Sequence, residues 1–239
     1  MDEIDPLTAQ IPAPTAKRPL LGLTVLVVED SRYACEAIRL LCLRSGARIR
    51  RADCLRSARR HLRVYRPSVV LVDLGLPDGN GIDLIAELAE AVPKVEGIIG
   101  MSGDDHLEQE AISAGAGTFI SKPITSIASF QEQVLALLPI NRRPMGPRTL
   151  GDETVTPDRL AYHDDIAHIA DVLEGDENEH TLDYVAQFLS GVAHSAHDGG
   201  LERAARALAR KRALGQTATS ETAILAGMLQ ERLAQKVAI

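Results

Sequence analysis

Two short runs decide the architecture: Thr24–Asp30 reads TVLVVED and Ser68–Asp73 reads SVVLVD. Each is a continuous apolar, valine-rich segment closed by acidic side chains. No polar residue alternates along either, so both faces of each strand must be covered, as in a parallel sheet held between helical layers. The same pattern repeats outward from them. Ser31 is placed to cap a helix in which Ala34, Ile38, Leu41 and Cys42 share a face and which stops near Gly46. A charged strand follows at Ala47–Ala52, crowded by Arg48, Arg50 and Arg51. Leu55, Ala58, Leu62 and Tyr65 mark a second helix that ends before Pro67. After a Pro/Gly-rich loop, Asp83 begins a third with Leu84, Ile85 and Leu88. Gly97–Ser102 (GIIGMS) is a fourth strand, Asp105–Ala114 a helix, Thr118–Ile120 a fifth strand and Ser126–Leu138 a closing helix. Strict alternation of five strands with five helices predicts an α/β fold, a doubly wound five-stranded parallel sheet with right-handed crossovers.

Composition sets the outer bounds. The chain has 239 residues, 45% hydrophobic and 25% charged, enough for one large domain or two small ones with packed cores. Four prolines (Pro6, Pro12, Pro14, Pro19) make residues 1–21 an irregular leader, and Pro139, Pro144, Gly146, Pro147, Gly151 and Pro157 set residues 140–157 apart as a linker. The alternating pattern thus occupies residues 22–139, and a smaller all-α domain is expected over 158–239. Charge changes at the same place: residues 1–150 hold 18 basic and 18 acidic side chains, residues 151–239 hold 8 and 15, so the whole net charge of −7 lies in the second part. That balance, with no Trp and only 4 Tyr and 3 Phe, disfavours a nucleic-acid partner. Three cysteines without scaffold spacing suit a reducing compartment, and no apolar run approaches the roughly 18 residues a membrane span needs, so a cytoplasmic protein is expected.

In an open parallel sheet, sites form beyond the carboxyl ends of the strands. There the sequence places Glu29 and Asp30, then Asp73, Ser102 and Lys122–Pro123. Three carboxylates gathered on one rim repel one another unless a cation sits among them, and Mg²⁺, a hard ion that takes carboxylate and phosphate oxygens, suits such a set.

This set, together with Leu76–Pro77 and Gly81 downstream of Asp73, resembles the receiver domain of two-component response regulators, whose fold is flavodoxin-like. The resemblance covers about residues 23–138. It implies that Asp73 is the phosphoryl acceptor, taking its group from a sensor histidine kinase or phosphotransfer protein. It implies further that Asp30, Asp73 and the backbone carbonyl of Gly75 hold Mg²⁺, with Glu29 acting through water. Lys122 and Ser102 would contact phosphoryl oxygens, Ser102 and Phe119 would form the switch, and Lys122–Pro123 would be a cis peptide. On this reading the chain is a phospho-accepting regulator of a phosphorelay rather than an enzyme with a separate substrate. Glu29 replaces the commoner Asp, and Ser102–Gly103 the commoner Thr–Ala.

The second half carries apolar stripes: Leu160, Ile166, Ile169, Val172 and Leu173; Leu182, Val185, Leu189 and Val192; Leu201, Ala205 and Leu208; and Ile224, Leu225, Met228, Leu229, Leu233 and Val237. About four amphipathic helices suggest a small bundle that acts through protein contacts or dimerisation. A homodimer would use this bundle or the fourth and fifth helices of the first half. Within this half, Lys211 among Arg203, Arg206, Arg210 and Arg212 forms the one basic cluster, as expected of a solvated helix face. His194 and His197, three apart, would share a helix face and are weak candidates for carrying phosphate. Asp183 and Gln187 have the acid-x-x-x-glutamine spacing of one phosphatase of phospho-receivers, a spacing common by chance. Phosphotransfer, phosphatase action and DNA-bound transcriptional control are thus the alternatives to a protein-contact output.

Overall fold

A computed structural model describes residues 13–146, 151–175 and 179–235. The two valine-rich runs form β1 (Thr24–Val28) and β3 (Val69–Asp73) at the middle of a five-stranded sheet. β2 (Arg48–Ala52) lies outside β1, while β6 (Gly97–Ser102) and β7 (Thr118–Ser121) continue beyond β3. All pairings are parallel, in the order β2-β1-β3-β6-β7. The chain therefore moves to one edge and then back past its start, and a crevice opens at the carboxyl ends where β1 and β3 part.

Period-two alternation sends β1 side chains to opposite layers. Val25 and Val27 pack with Ile38 and Leu41 of α1 (Arg32–Ser45) and with Phe130 and Val134 of α5 (Ile127–Leu137). Leu26 and Val28 join Ala58 of α2 (Leu55–Val64), Leu84 and Ile85 of α3 (Gly81–Glu90) and Ala111 of α4 (Glu108–Ser113) on the other face. Ser31 caps α1 by accepting from the Ala34 N–H at 3.0 Å, and Gly46 ends it in the left-handed region at φ 89°.

Several details depart from the sequence reading. The Pro/Gly-rich loop contains a short antiparallel hairpin, β4 (Gly75–Leu76) with β5 (Gly79–Asn80). Asn80, whose Oδ1 accepts from the Ile82 N–H at 3.0 Å, starts α3 two residues before Asp83. The leader is not wholly separate: Leu20 is fully buried in the α1/α5 core and its N–H donates to Ser45 O. The expected linker is tied down as well. Ile127 donates to Glu153 O, Val155 donates to Thr125 O, and the Val155 side chain enters the same core. Pro6, Pro12, Pro147 and Val237 lie outside the described residues.

The second half folds as α6 (Arg159–Gly175), α7 (Glu179–Ser195), α8 (Gly199–Ala213) and α9 (Thr219–Ala234) around their own core. The stripes supply it, with Ile166, Ile169, Val185, Leu189, Leu201, Leu208, Leu225 and Leu229 buried. Leu160 and Ile224 instead face outward. His197 does not share a helix face with His194. It sits in the turn between α7 and α8 at φ 58°, because Asp198 behind it must cap α8, accepting from the Leu201 N–H at 3.1 Å.

The two halves pack on one another at the carboxyl edge of the sheet. Asp165 of α6 accepts from Ser31 Oγ (2.7 Å) and from the N–H groups of Arg32 (2.7 Å) and Tyr33 (3.0 Å), satisfying the start of α1 from another part of the chain. Arg32 pairs with Asp164, and the Tyr33 and Tyr162 rings meet edge to face.

Candidate functional site

Strand ends bring the charged residues together. Glu29 and Asp30 follow β1, Asp73 closes β3, Ser102 closes β6 and Lys122 follows β7. Lys122 Nζ lies 2.6 Å from Glu29 Oε2 and 2.8 Å from Asp73 Oδ1. One carboxylate oxygen from each of Glu29, Asp30 and Asp73 falls within 4.8 Å of the others. Glu29 and Asp73 are buried, and Asp30 is half-buried beside them. The Glu29 carboxylate pairs with Lys122 and accepts from the Ser31 N–H at 3.1 Å.

Desolvation governs the electrostatics. Burial pushes Glu29 up to about 7 against the pull of Lys122, and pushes Asp73 up to about 7 against the same ammonium and a hydrogen bond from the Gly75 backbone. Asp30 rises to about 6 through burial and repulsion by Asp73. Burial also opposes the Lys122 charge, but Asp73 and Glu29 outweigh it and hold the ammonium above the ordinary lysine range. One cation facing three carboxylates leaves two negative charges uncompensated when all are ionised. An all-oxygen donor set with that deficit fits a hard divalent ion.

The remaining predicted residues surround this cluster. Ser102, also buried, lines the same cleft of about 960 Å³, and its Oγ accepts from the Asp104 N–H at 3.1 Å. Phe119 is turned into the core beneath α4, where its ring lies beside Gly100. The Lys122–Pro123 peptide is cis. His194 lines the far wall of the cleft, its Nδ1 3.1 Å from Glu202 Oε1. His197 is not among the lining residues.

Residues 25–133 match the family model described as the response regulator receiver domain. The transcriptional regulatory protein CitB of Klebsiella pneumoniae is 37% identical over 107 residues, 43% of this chain and 45% of that protein. KdpE of Escherichia coli, a KDP operon transcriptional regulatory protein, is 32% identical over 101 residues, 41% of this chain and 44% of its own length. The chemotaxis protein CheY of Thermotoga maritima is 30% identical over 105 residues, which cover 43% of this chain and 88% of CheY. The chain belongs to the response regulator receiver family. It spans just under half the length of CitB and KdpE.

Around the receiver's acidic cluster, α7 contributes side chains that sequence reasoning did not place there. Tyr184 Oη donates to Asp30 Oδ2 at 2.8 Å. Gln187 presses against Gly75 so closely that a Cβ on Gly75 would overlap its Nε2, and Gly191 comes beside Gly103. These positions, 184, 187 and 191, are one helix face by their spacing. The sequence holds that spacing but nothing to say which surface the face meets. Asp183 is drawn off to Arg212 on α8, with Oδ1 2.9 Å from Nε. Among the described residues no helix is long and apolar enough to cross a membrane.

Proposed function

We propose that the chain is a phosphorelay response regulator in which Asp73 accepts a phosphoryl group from a phosphohistidine on a sensor kinase or phosphotransfer protein. The observation that carries this is Lys122 bridging Asp73 and Glu29 within a three-carboxylate cluster open to a cleft. An Asp73 carboxylate oxygen forms the new bond to phosphorus as the histidine N–P bond breaks, and the imidazole takes back the electron pair. Asp30, Asp73 and the Gly75 carbonyl would hold Mg²⁺, which supplies positive charge against the phosphoryl oxygens. Lys122 adds a fixed positive charge at one of those oxygens, and Ser102 a hydroxyl at another. The product is an acyl phosphate, a bond labile enough for a reversible signal. Ser102 and Phe119 would then carry the change outward, the added negative charge drawing the hydroxyl inward.

The receiver unit is taken as residues 22–139, with 140–157 as connector and 158–239 as the output module. That module is read as a protein-contact device working in the cytoplasm. Four of its cations are held in ion pairs, which supports this over DNA: Arg206 with Glu202, Lys211 with Glu221, Arg212 with Asp183 and Arg232 with Asp198. Likeness to the transcriptional regulators CitB and KdpE covers only 43% and 41% of the chain. Incubation with acetyl phosphate and Mg²⁺ should add one hydroxylamine-sensitive phosphate, absent in Asp73→Asn. A phosphate that survives that substitution would refute the assignment.

A further inference from the structure

We propose that Gln187 holds the water that hydrolyses the Asp73 acyl phosphate, so that the helical half acts as a phosphatase for its own receiver. This rests on the reading of Asp73 as the acceptor. Three observations on α7 carry it. Tyr184 and Gly191 fix the helix across the strand ends, at Asp30 and at Gly103. Gln187, between them on the same face, is set against the backbone of Gly75, two residues from Asp73. Among the described residues its amide has no hydrogen-bond partner, and the side chain is exposed within the cleft that also reaches Asp73 and Lys122.

A primary amide carries both a donor and an acceptor, so it can fix one water in position and orientation at once. The amide carbonyl accepts a hydrogen bond from the water and so points the oxygen lone pair at phosphorus. The water oxygen bonds to phosphorus as the bond from phosphorus to the Asp73 carboxylate oxygen breaks. That electron pair returns to the carboxylate, inorganic phosphate departs, and the displaced proton leaves with it to solvent. Lys122, 2.8 Å from Asp73, would offset charge on the phosphoryl oxygens, so a positioned nucleophile is the component still needed.

The test is the decay of the phosphorylated full-length chain after loading with radiolabelled acetyl phosphate and Mg²⁺ and removal of the donor. Gln187→Ala should lengthen the half-life by about tenfold or more, as expected when one positioned group is lost from a transfer site. Gln187→Glu keeps the side-chain size but sets an anion before the negatively charged phosphoryl group, and should decay as slowly. A merely structural role would leave the Glu variant at the wild-type rate, which overturns the proposal. So does faster loading with unchanged decay, the mark of a plug rather than a water-holder. If neither wild type nor variants load, the acceptor assignment falls and takes this proposal with it. If all load and decay alike, only the hydrolytic role falls.

Discussion

Lys122 is the residue on which the acidic cluster balances. It is the ammonium within ion-pair distance of both buried carboxylates, and its charge opposes the burial that pushes Glu29 and Asp73 up to about 7. Lys122→Ala should cut the initial rate of phosphate loading from acetyl phosphate by about a hundredfold, in line with the loss of one preorganised charge at a transfer site. A loading rate within about twofold of wild type would contradict that role. At this scale the sequence was informative wherever an apolar run ended in a polar side chain. Glu29–Asp30, Asp73 and Ser102 are legible because each terminates a strand, and strand ends of a parallel sheet converge. Tyr184 was not legible: it reaches Asp30 across 154 positions, and no local pattern announces a hydroxyl bound for a distant carboxylate.

Helix ends show how far local chemistry can be read and where it misleads. Ser31 and Gly46 bound α1 as their residue types predict. Asp83 was the wrong start for α3 because Asn80, at the close of a two-residue strand, caps first. The His194/His197 pairing failed for a similar reason, since a cap at Asp198 ends the helical register before His197. Asp198 ties three helices of the helical half together. It caps α8, accepts from Tyr162 Oη at 2.9 Å, and pairs with Arg232 Nε and Nη2 at 2.5 and 2.8 Å. The Arg232 guanidinium holds its carboxyl well below the usual range. A depressed folded value means the stabilisation is complete above the unfolded aspartate pKa of about 4 and disappears as the pH falls through the folded one. Asp198→Ala should therefore cost about 2 kcal/mol in urea unfolding at pH 7. The gap to wild type should narrow as the solution is acidified below pH 4; a gap that stayed constant or widened would contradict the assignment.

For the whole molecule, the joining of the halves is what the sequence concealed. Proline-rich composition marks residues 140–157 as a linker but does not show that Val155 is buried in the receiver core or that Asp165 satisfies the start of α1. Composition records where regular structure stops, and does not record what an irregular segment packs against. Asp165 is buried, which raises its pKa, and three donors from residues 31–33 hold the carboxylate in place. Asp165→Ala should lower stability by about 2–3 kcal/mol, since it strands those donors, and should raise the radius of gyration in X-ray scattering as α6 and α7 leave the strand ends. Unchanged stability and size would mean the halves are held by other contacts. The most direct test of the account is the chemical identity of the modified residue. After loading with acetyl phosphate and Mg²⁺, borohydride reduction and peptide mapping should find homoserine at position 73, with aspartate there in the unloaded chain. Homoserine at another acidic position, or phosphate retained on a histidine with Asp73 unmodified, would contradict it.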